Sequence, residues 1–251
     1  MQCGWALAVT TKTGRSVIVG DGRNIGGPEQ RITSPNGATM TQNAVTVRGR
    51  TAADRYAQLV IVLMCCAAVV IGFLTVTLRR RVDPVSDPVS DYVFYGPGEP
   101  LFVIAVLLMI CGGVALTAGM AGVGMPSGRS ARVLLGLWAA GLLVCAVFPA
   151  NRIASDPTVS GELHRFGGAL LFTCLPLAGR HLARSLHNHP QWTFAAARIR
   201  RFAAAAVVTA AAFGVAQLEP WLPQGLLERF ALGTEFAMLI VLALIVRRAA
   251  R

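Results

Sequence analysis

Leu101-Phe102-Val103-Ile104-Ala105-Val106-Leu107-Leu108-Met109-Ile110-Cys111-Gly112-Gly113-Val114-Ala115-Leu116-Thr117-Ala118-Gly119-Met120-Ala121-Gly122-Val123 runs without a single charged side chain. As an α-helix it would be about 35 Å long, enough to cross a hydrocarbon core of about 30 Å. A helix on the surface of a soluble domain keeps a polar stripe, and this stretch has none. Five further runs read the same way, at about 57–78, 131–149, 163–183, 200–218 and 227–246. Apolar residues make up 54% of the 251-residue chain and charged residues 14%, with a mean hydropathy of +0.57. A soluble domain of this length needs more polar surface. The expected fold is all-α: a polytopic bundle of six transmembrane helices.

The net charge of +11 does not mark a nucleic-acid binder, because of where the charges fall. With six spans both termini share one side. That side holds 17 of the 23 basic residues and three of the 12 acids, Asp21, Glu29 and Asp54. Basic residues favour the cytoplasm, so both termini are expected there, in a bacterial plasma membrane. Lys12, the only lysine, points to a high-GC bacterial genome. Arg79-Arg80-Arg81 runs against this rule by falling on the outer side. The basic loop with His181, His187 and His189 suits anionic lipid headgroups at the cytoplasmic face. Partners are therefore expected to be the lipid bilayer and those headgroups, not nucleic acid.

Residues 1–56 are polar, basic and without sustained periodicity, as in a disordered cytoplasmic tail. Met1–Val9 is too short and weakly apolar for a signal-peptide core. Gly20-Asp21-Gly22-Arg23-Asn24-Ile25-Gly26 misses the dinucleotide-loop spacing by one residue and has no clear strand before it. Cys65, Cys66, Cys111, Cys145 and Cys174 fall within spans, where thiols act as small apolar groups. His187-x-His189 lacks a nearby acid or cysteine. No metal site and no cofactor are indicated.

The outer loops and helix starts carry the polar residues that invite a functional reading. Asp83-Pro84-Val85-Ser86-Asp87-Pro88-Val89-Ser90-Asp91-Tyr92 is a turn-rich loop, either solvated or folded back over the bundle mouth. Phe148-Pro149-Ala150-Asn151-Arg152 closes the third span. Ser160 is the expected N-cap of the fourth helix, with Glu162 in its first turn and His164 at the boundary. Pro176 interrupts that helix. Glu228 and Arg229 open the last span. Glu235, seven residues on from Glu228, falls on the same face about 10 Å deeper, where a carboxylate should face the bundle interior. Ala115 with Gly119, and Gly136 with Ala140, are small residues four apart that let a neighbouring helix approach.

Val89-Ser90-Asp91-Tyr92, Phe148-Pro149-Ala150-Asn151, Gly161-x-x-His164-Arg165, Leu175-Pro176 and Gly225-Leu226-x-Glu228-Arg229 occur in that order across residues 88–248. In this ordered set the chain resembles the bacterial and archaeal membrane family catalogued as domain of unknown function 998. The resemblance implies a six-span integral membrane protein and carries no established activity.

Two classes of function follow. In the first, the protein is a non-catalytic transporter, lipid-binding protein or envelope accessory, with a polar pocket at the outer face. Tyr92, Asn151, Arg152, Arg229 and Glu235 are its candidate ligand-binding residues. In the second, it is a membrane-embedded lipid hydrolase in which His164 works with Asp91, Ser90 or Glu228 as acid, base or nucleophile. No nucleophile-elbow motif accompanies Ser90. A three-histidine zinc site needs more histidines than His164 alone on that face.

Overall fold

The computed structural model describes residues 9–10, 16–17 and 36–251, except 152–157 and 220, with side chains from residue 49 onward. The glycine stretch at 20–26 and Arg152 therefore lie outside the described residues. The chain divides into two compact units, Met1–Thr41 and Gln42–Arg251. In the first, β1 (Val9–Thr10) and β2 (Ser16–Val17) pair antiparallel, with Val9 opposite Val17. This two-residue pairing is the one stretch of strand among the described residues.

Everything else is built on six helices: α1 (Asn36–Thr77), α2 (Gly98–Gly122), α3 (Gly128–Val147), α4 (Val159–His187), α5 (Thr193–Ala216) and α6 (Gln224–Ala250). Each contains one of the six apolar runs. α1 begins at Asn36, well inside the segment that composition assigned to a tail, and only Gly49–Thr77 is apolar enough to cross a membrane. Gly124 and Gly128, both at φ +64°, make the sharp turn between α2 and α3 that other residues adopt only with strain.

Along the chain α3 packs on α4, α4 on α5 and α5 on α6, and α2 closes against both α3 and α6. α1 lies along α2, where Gly112 faces Met64 and Gly122 faces Ala53. Gly119 also sits at a close approach, beside Tyr56, Ala53 and Val246. Gly136 does not: its position opens onto space, so the expected small-residue face at Gly136 and Ala140 is not where α3 meets a neighbour. That contact is made by Gly141 against Gly167 of α4. A Cβ on Gly141 would stand 2.7 Å from the Gly167 carbonyl oxygen, so only glycine allows the two backbones this close.

The core is apolar and filled by Met64, Trp138, Leu142, Leu175 and Met238. The outer surface is apolar too. Val69, Val76, Val114, Val133 and Val208 are each more than half exposed, a surface suited to lipid and not to water. Five helical segments are long and apolar enough to cross a membrane: Gly49–Thr77, α2, α3, Pro190–Ala216 and α6. The exception is α4, which carries Glu162, Arg165, Arg180 and Arg184. It sits between α3 and α5 and buries twelve residues, so protein supplies much of its apolar contact.

The N-cap of α4 is Thr158, not Ser160. Thr158 Oγ1 accepts the Gly161 N–H at 3.0 Å, while Ser160 donates to the Pro149 carbonyl at 3.0 Å. Thr158 wins because Asn151 Oδ1, outside the helix, accepts both its N–H and its hydroxyl.

Candidate functional site

The antiparallel order of the helices brings together the ends of α1, α3 and α5 and the starts of α2, α4 and α6. The candidate residues collect at this end of the bundle. Asp83 begins their arrangement: its carboxylate accepts the Val85 N–H and the Ser86 hydroxyl, while Asp87 accepts the Asp83 N–H, so the loop closes on itself. The loop then docks on the start of α6. Val85 and Ser86 carbonyls accept the Leu226 and Gly225 N–H groups, capping donors that a helix start leaves free. Gly225 is required there, because a Cβ would collide with the Asp87 carbonyl.

After Pro88 the chain forms a short 3-10 segment, Val89–Phe94, with Val89, Ser90 and Tyr92 buried against α2 and α6. Of the two readings of this loop, the one folded over the bundle mouth matches. Arg229 fastens it. Its Nη1 donates to the carbonyls of Asp87 (2.9 Å) and Gly225 (2.8 Å), and its Nη2 donates to the Tyr92 hydroxyl. The guanidinium carbon lies 5.6 Å from the Tyr92 ring centroid, within cation–π range. Tyr92 in turn donates to Thr75 Oγ1 of α1 at 3.0 Å. Glu228 holds the same strap from its other side, accepting the Val89 N–H on Oε2 at 2.7 Å. Arg229 and Tyr92 are thus occupied in joining three elements.

The turn between α3 and α4 is built around Asn151. Its Oδ1 accepts both the N–H and the hydroxyl of Thr158, at 2.9 and 2.8 Å. Its side chain fills the space in which a Cβ on Gly161 would stand. One turn on, His164 Nδ1 lies 2.8 Å from the Phe148 carbonyl. A carbonyl only accepts, so Nδ1 carries the proton and Nε2 of the neutral ring keeps its lone pair. Cys145 Sγ contributes a weak bond to the His164 carbonyl. Arg165 pairs with Glu162 at 3.1 Å on the surface.

Between these structures lies a cavity of about 780 Å³. Its mouth is polar: Asp87, Ser90, Asp91, Asn151, His164, Arg165, Gln217, Gln224 and Glu228 line it. Its deeper wall is apolar, with Phe102, Val106 and Met109 from α2, Leu142 from α3, Phe172 and Pro176 from α4, Val207 and Phe213 from α5 and Leu232 from α6. Phe172 and Phe213 meet edge to face at 5.0 Å. Gly168 and Gly214 line the cavity with open space where a side chain would be, which leaves it wide between α4 and α5.

The Ser90 hydroxyl, the Asp91 carboxylate, Glu228 Oε1, His164 Nε2 and Asn151 Nδ2 line the mouth with no hydrogen-bond partner among the described residues. Ser90 is 8% exposed and Glu228 9%. Burial, with Asp87 close by, pushes the Asp91 carboxyl up from 3.8 to about 6, against the opposing pull of Arg229. His164 shares the cavity with Ser90, Asp91 and Glu228 but bonds to none of them. The orienting partner of its ring is a backbone carbonyl, so no Ser-His-carboxylate relay is assembled.

Glu235 is buried, at 1% exposure, as its position in an apolar run required. It does not line the cavity. Leu232 forms the floor one turn earlier, and below it Glu235 Oε2 accepts the Trp138 indole N–H at 3.3 Å. In the sequence, Phe172, Phe213 and Gly214 of the apolar wall read as ordinary span residues, and Gly168, one turn after His164, marks only open space beside that histidine. The one signal available was the pair of glycines in corresponding levels of neighbouring helices.

Comparison with known proteins gives one match. The model of the family described as "Protein of unknown function (DUF998)" covers residues 59–245, which takes in the bundle from α1 to α6. No curated protein and no solved structure matches the chain.

Proposed function

The chain belongs to the DUF998 family, and on that premise we propose that it is a six-span membrane protein that binds an amphiphile, with the polar part at the cavity mouth and an apolar chain in the shaft. The observation that carries this reading is the cavity itself. Its volume of about 780 Å³ falls within the usual range for small-molecule sites, and its polar and apolar surfaces are separated along its depth. A site for a wholly polar solute has no use for the Phe172–Phe213 wall.

α4 completes the sixth span. Its short connections to α3 and α5, and its place between them, leave it no other course if its neighbours cross. The excess of basic residues at the other end of the bundle supports cytoplasmic termini, with Arg129, Arg132, Arg184, Arg198, Arg200 and Arg201 facing anionic headgroups and the cavity opening outward. A bacterial plasma membrane fits this arrangement. The binding reading is favoured over hydrolysis because, among the described residues, His164 bonds to neither a carboxylate nor a hydroxyl, and its ring is oriented by the Phe148 carbonyl. Delivery of the amphiphile to an envelope enzyme, or its movement across the bilayer, are both compatible with such a site.

The test is to fill the shaft. Gly168→Leu and Gly214→Leu each place a side chain where nothing stands within 4 Å, and both favour helix over glycine. The full-length protein in detergent is titrated with a fluorescent single-chain amphiphile. Affinity is expected to fall at least tenfold in the double variant, with thermal stability unchanged or higher. Equal affinity in the double variant and the wild type overturns the reading.

A further inference from the structure

We infer that the mouth of this cavity selects a primary ammonium head on the amphiphile, held by Glu228, Asp91, Ser90 and His164. The inference rests on the amphiphile-binding reading and adds the chemistry of the headgroup.

Ser90, Asp91, Glu228 and His164 each leave an acceptor without a partner at the mouth, and beside them the Asn151 Nδ2 is an unpaired donor. Glu228 uses Oε2 for the Val89 N–H and leaves Oε1 toward the cavity. Ser90 is 8% exposed and lines the cavity, and its hydroxyl bonds to no described side chain. His164 Nε2 offers a lone pair because Nδ1 gives its proton to Phe148. Asp91 adds a carboxylate with no hydrogen bond among the described residues. An ammonium has three donors in a compact head and no acceptor, which matches such a set.

The charges agree. Asp87, Asp91 and Glu228 line the mouth, and the basic side chain beside them, Arg165, is paired with Glu162. Arg229, half-buried nearby, is turned away into the strap by its bonds to Asp87, Gly225 and Tyr92. A carboxylate or bare phosphate head would find the Asn151 Nδ2 donor but would stand against the carboxylates of Asp87, Asp91 and Glu228. A quaternary head would satisfy the charge but give Ser90 Oγ and His164 Nε2 nothing to accept.

A free long-chain amine and a lipid with an aminoethyl head share this chemistry, and the experiment separates them. Full-length protein in maltoside micelles at pH 8 is loaded with a fluorescent amphiphile. It is then competed with dodecylamine, dodecyltrimethylammonium, dodecanol and dodecanoate, and separately with lysophosphatidylethanolamine and lysophosphatidylcholine. Dodecylamine is expected to compete at least tenfold better than the other three twelve-carbon probes if a free amine is the ligand. A tenfold preference for the ethanolamine lipid over the choline lipid identifies the lipid source. Either preference supports the inference.

Glu228→Gln keeps an acceptor for the Val89 N–H while removing the charge, and Asp91→Asn with Ser90→Ala leaves that bond untouched. Each is expected to reduce the ratio of amine to alcohol affinity by at least fivefold. If every probe competes alike, and Gly168→Leu/Gly214→Leu still abolishes binding, the ammonium inference fails while the cavity reading stands. If the cavity-filling variant binds the probes as well as wild type, the cavity reading itself fails.

Discussion

Arg229 offers the most quantitative test of how the mouth is held. Replacing it with methionine keeps an unbranched apolar stem and deletes the guanidinium. Three hydrogen bonds are lost, to the Asp87 and Gly225 carbonyls and to the Tyr92 hydroxyl, together with the contact over the Tyr92 ring. Bonds to a charged donor contribute about 1.5–3 kcal/mol each. They share one side chain and do not add fully, so the low end, about 4 kcal/mol in total, is the appropriate expectation. That is close to a thousandfold in the equilibrium between docked and undocked strap, at about 1.4 kcal/mol per decade.

Hydrogen–deuterium exchange of the full-length protein in detergent reads this equilibrium directly. Peptides covering 85–94 should exchange about a thousandfold faster in Arg229→Met, while peptides from the buried stretch 171–186 should not change. Arg229→Lys keeps the charge but not the planar fork, so it should fall between wild type and Met. Tyr92→Phe loses the hydroxyl's bonds to Arg229 and to Thr75, at the low end about 2 kcal/mol, and should give roughly a thirtyfold increase. An increase of less than threefold at 85–94 in Arg229→Met would refute the assignment of Arg229 as the fastener. It would return that residue to the ligand-binding candidates.

Three further outcomes follow from the same geometry. Gly161→Ala forces a Cβ into the space of the Asn151 side chain, so it should cost about 1–3 kcal/mol in unfolding experiments, and Asn151→Ser should recover part of that loss in the double variant. The folded state holds the Asp91 proton more tightly than the unfolded chain does, so this group's contribution to stability is greatest near pH 4 and is lost as pH rises through about 6. Asp91→Asn should therefore be more stable than wild type at pH 7.5, by at most about 2 kcal/mol after allowance for its partial exposure, and should converge with it near pH 4.5; parallel pH curves would count against a buried Asp91. Glu235→Gln keeps an acceptor for the Trp138 N–H and should leave amphiphile affinity within twofold, whereas Glu235→Leu strands that N–H and should cost about 1–3 kcal/mol; a large loss of binding in Glu235→Gln would place the carboxylate in the ligand's path.

The helices were legible because a charge-free run such as Leu101–Val123 has only one stable form in lipid. Their partners were less so. Gly136 and Ala140 have the spacing of a packing face, as Gly141 does not, yet it is Gly141 that meets Gly167. Spacing along one helix says which residues share a face and not which face is covered. The same gap explains Thr158. The sequence Thr158-Val159-Ser160 offers two capping hydroxyls, and the choice is made by Asn151, whose contact appears only when the turn has closed. Arg229 looked like a ligand-binding cation at a helix start. Its partners Asp87 and Tyr92 lie well over a hundred residues away, on a loop whose return to the bundle no local pattern records. Glu228 and Glu235 do share a helix face, as their spacing requires, but Leu232 divides them into a cavity group and a core group.

The polar residues of the family motifs here divide into those that join elements and those that face the cavity. Tyr92, Asn151, Gly161, Gly225 and Arg229 build the seams between loops and helix ends. Ser90, Asp91, His164 and Glu228 are held in place by those seams with acceptors left over. Polar groups that face a cavity without a protein partner are satisfied by water or by a ligand, since leaving one unmet costs about 1–3 kcal/mol. Water could do this for the mouth alone. It would have no reason to fill the shaft behind, where Phe102, Phe172 and Phe213 offer it no hydrogen bonds. A single molecule with donors at one end and a hydrocarbon chain at the other satisfies both regions at once, and that is why the two halves of the cavity belong to one ligand.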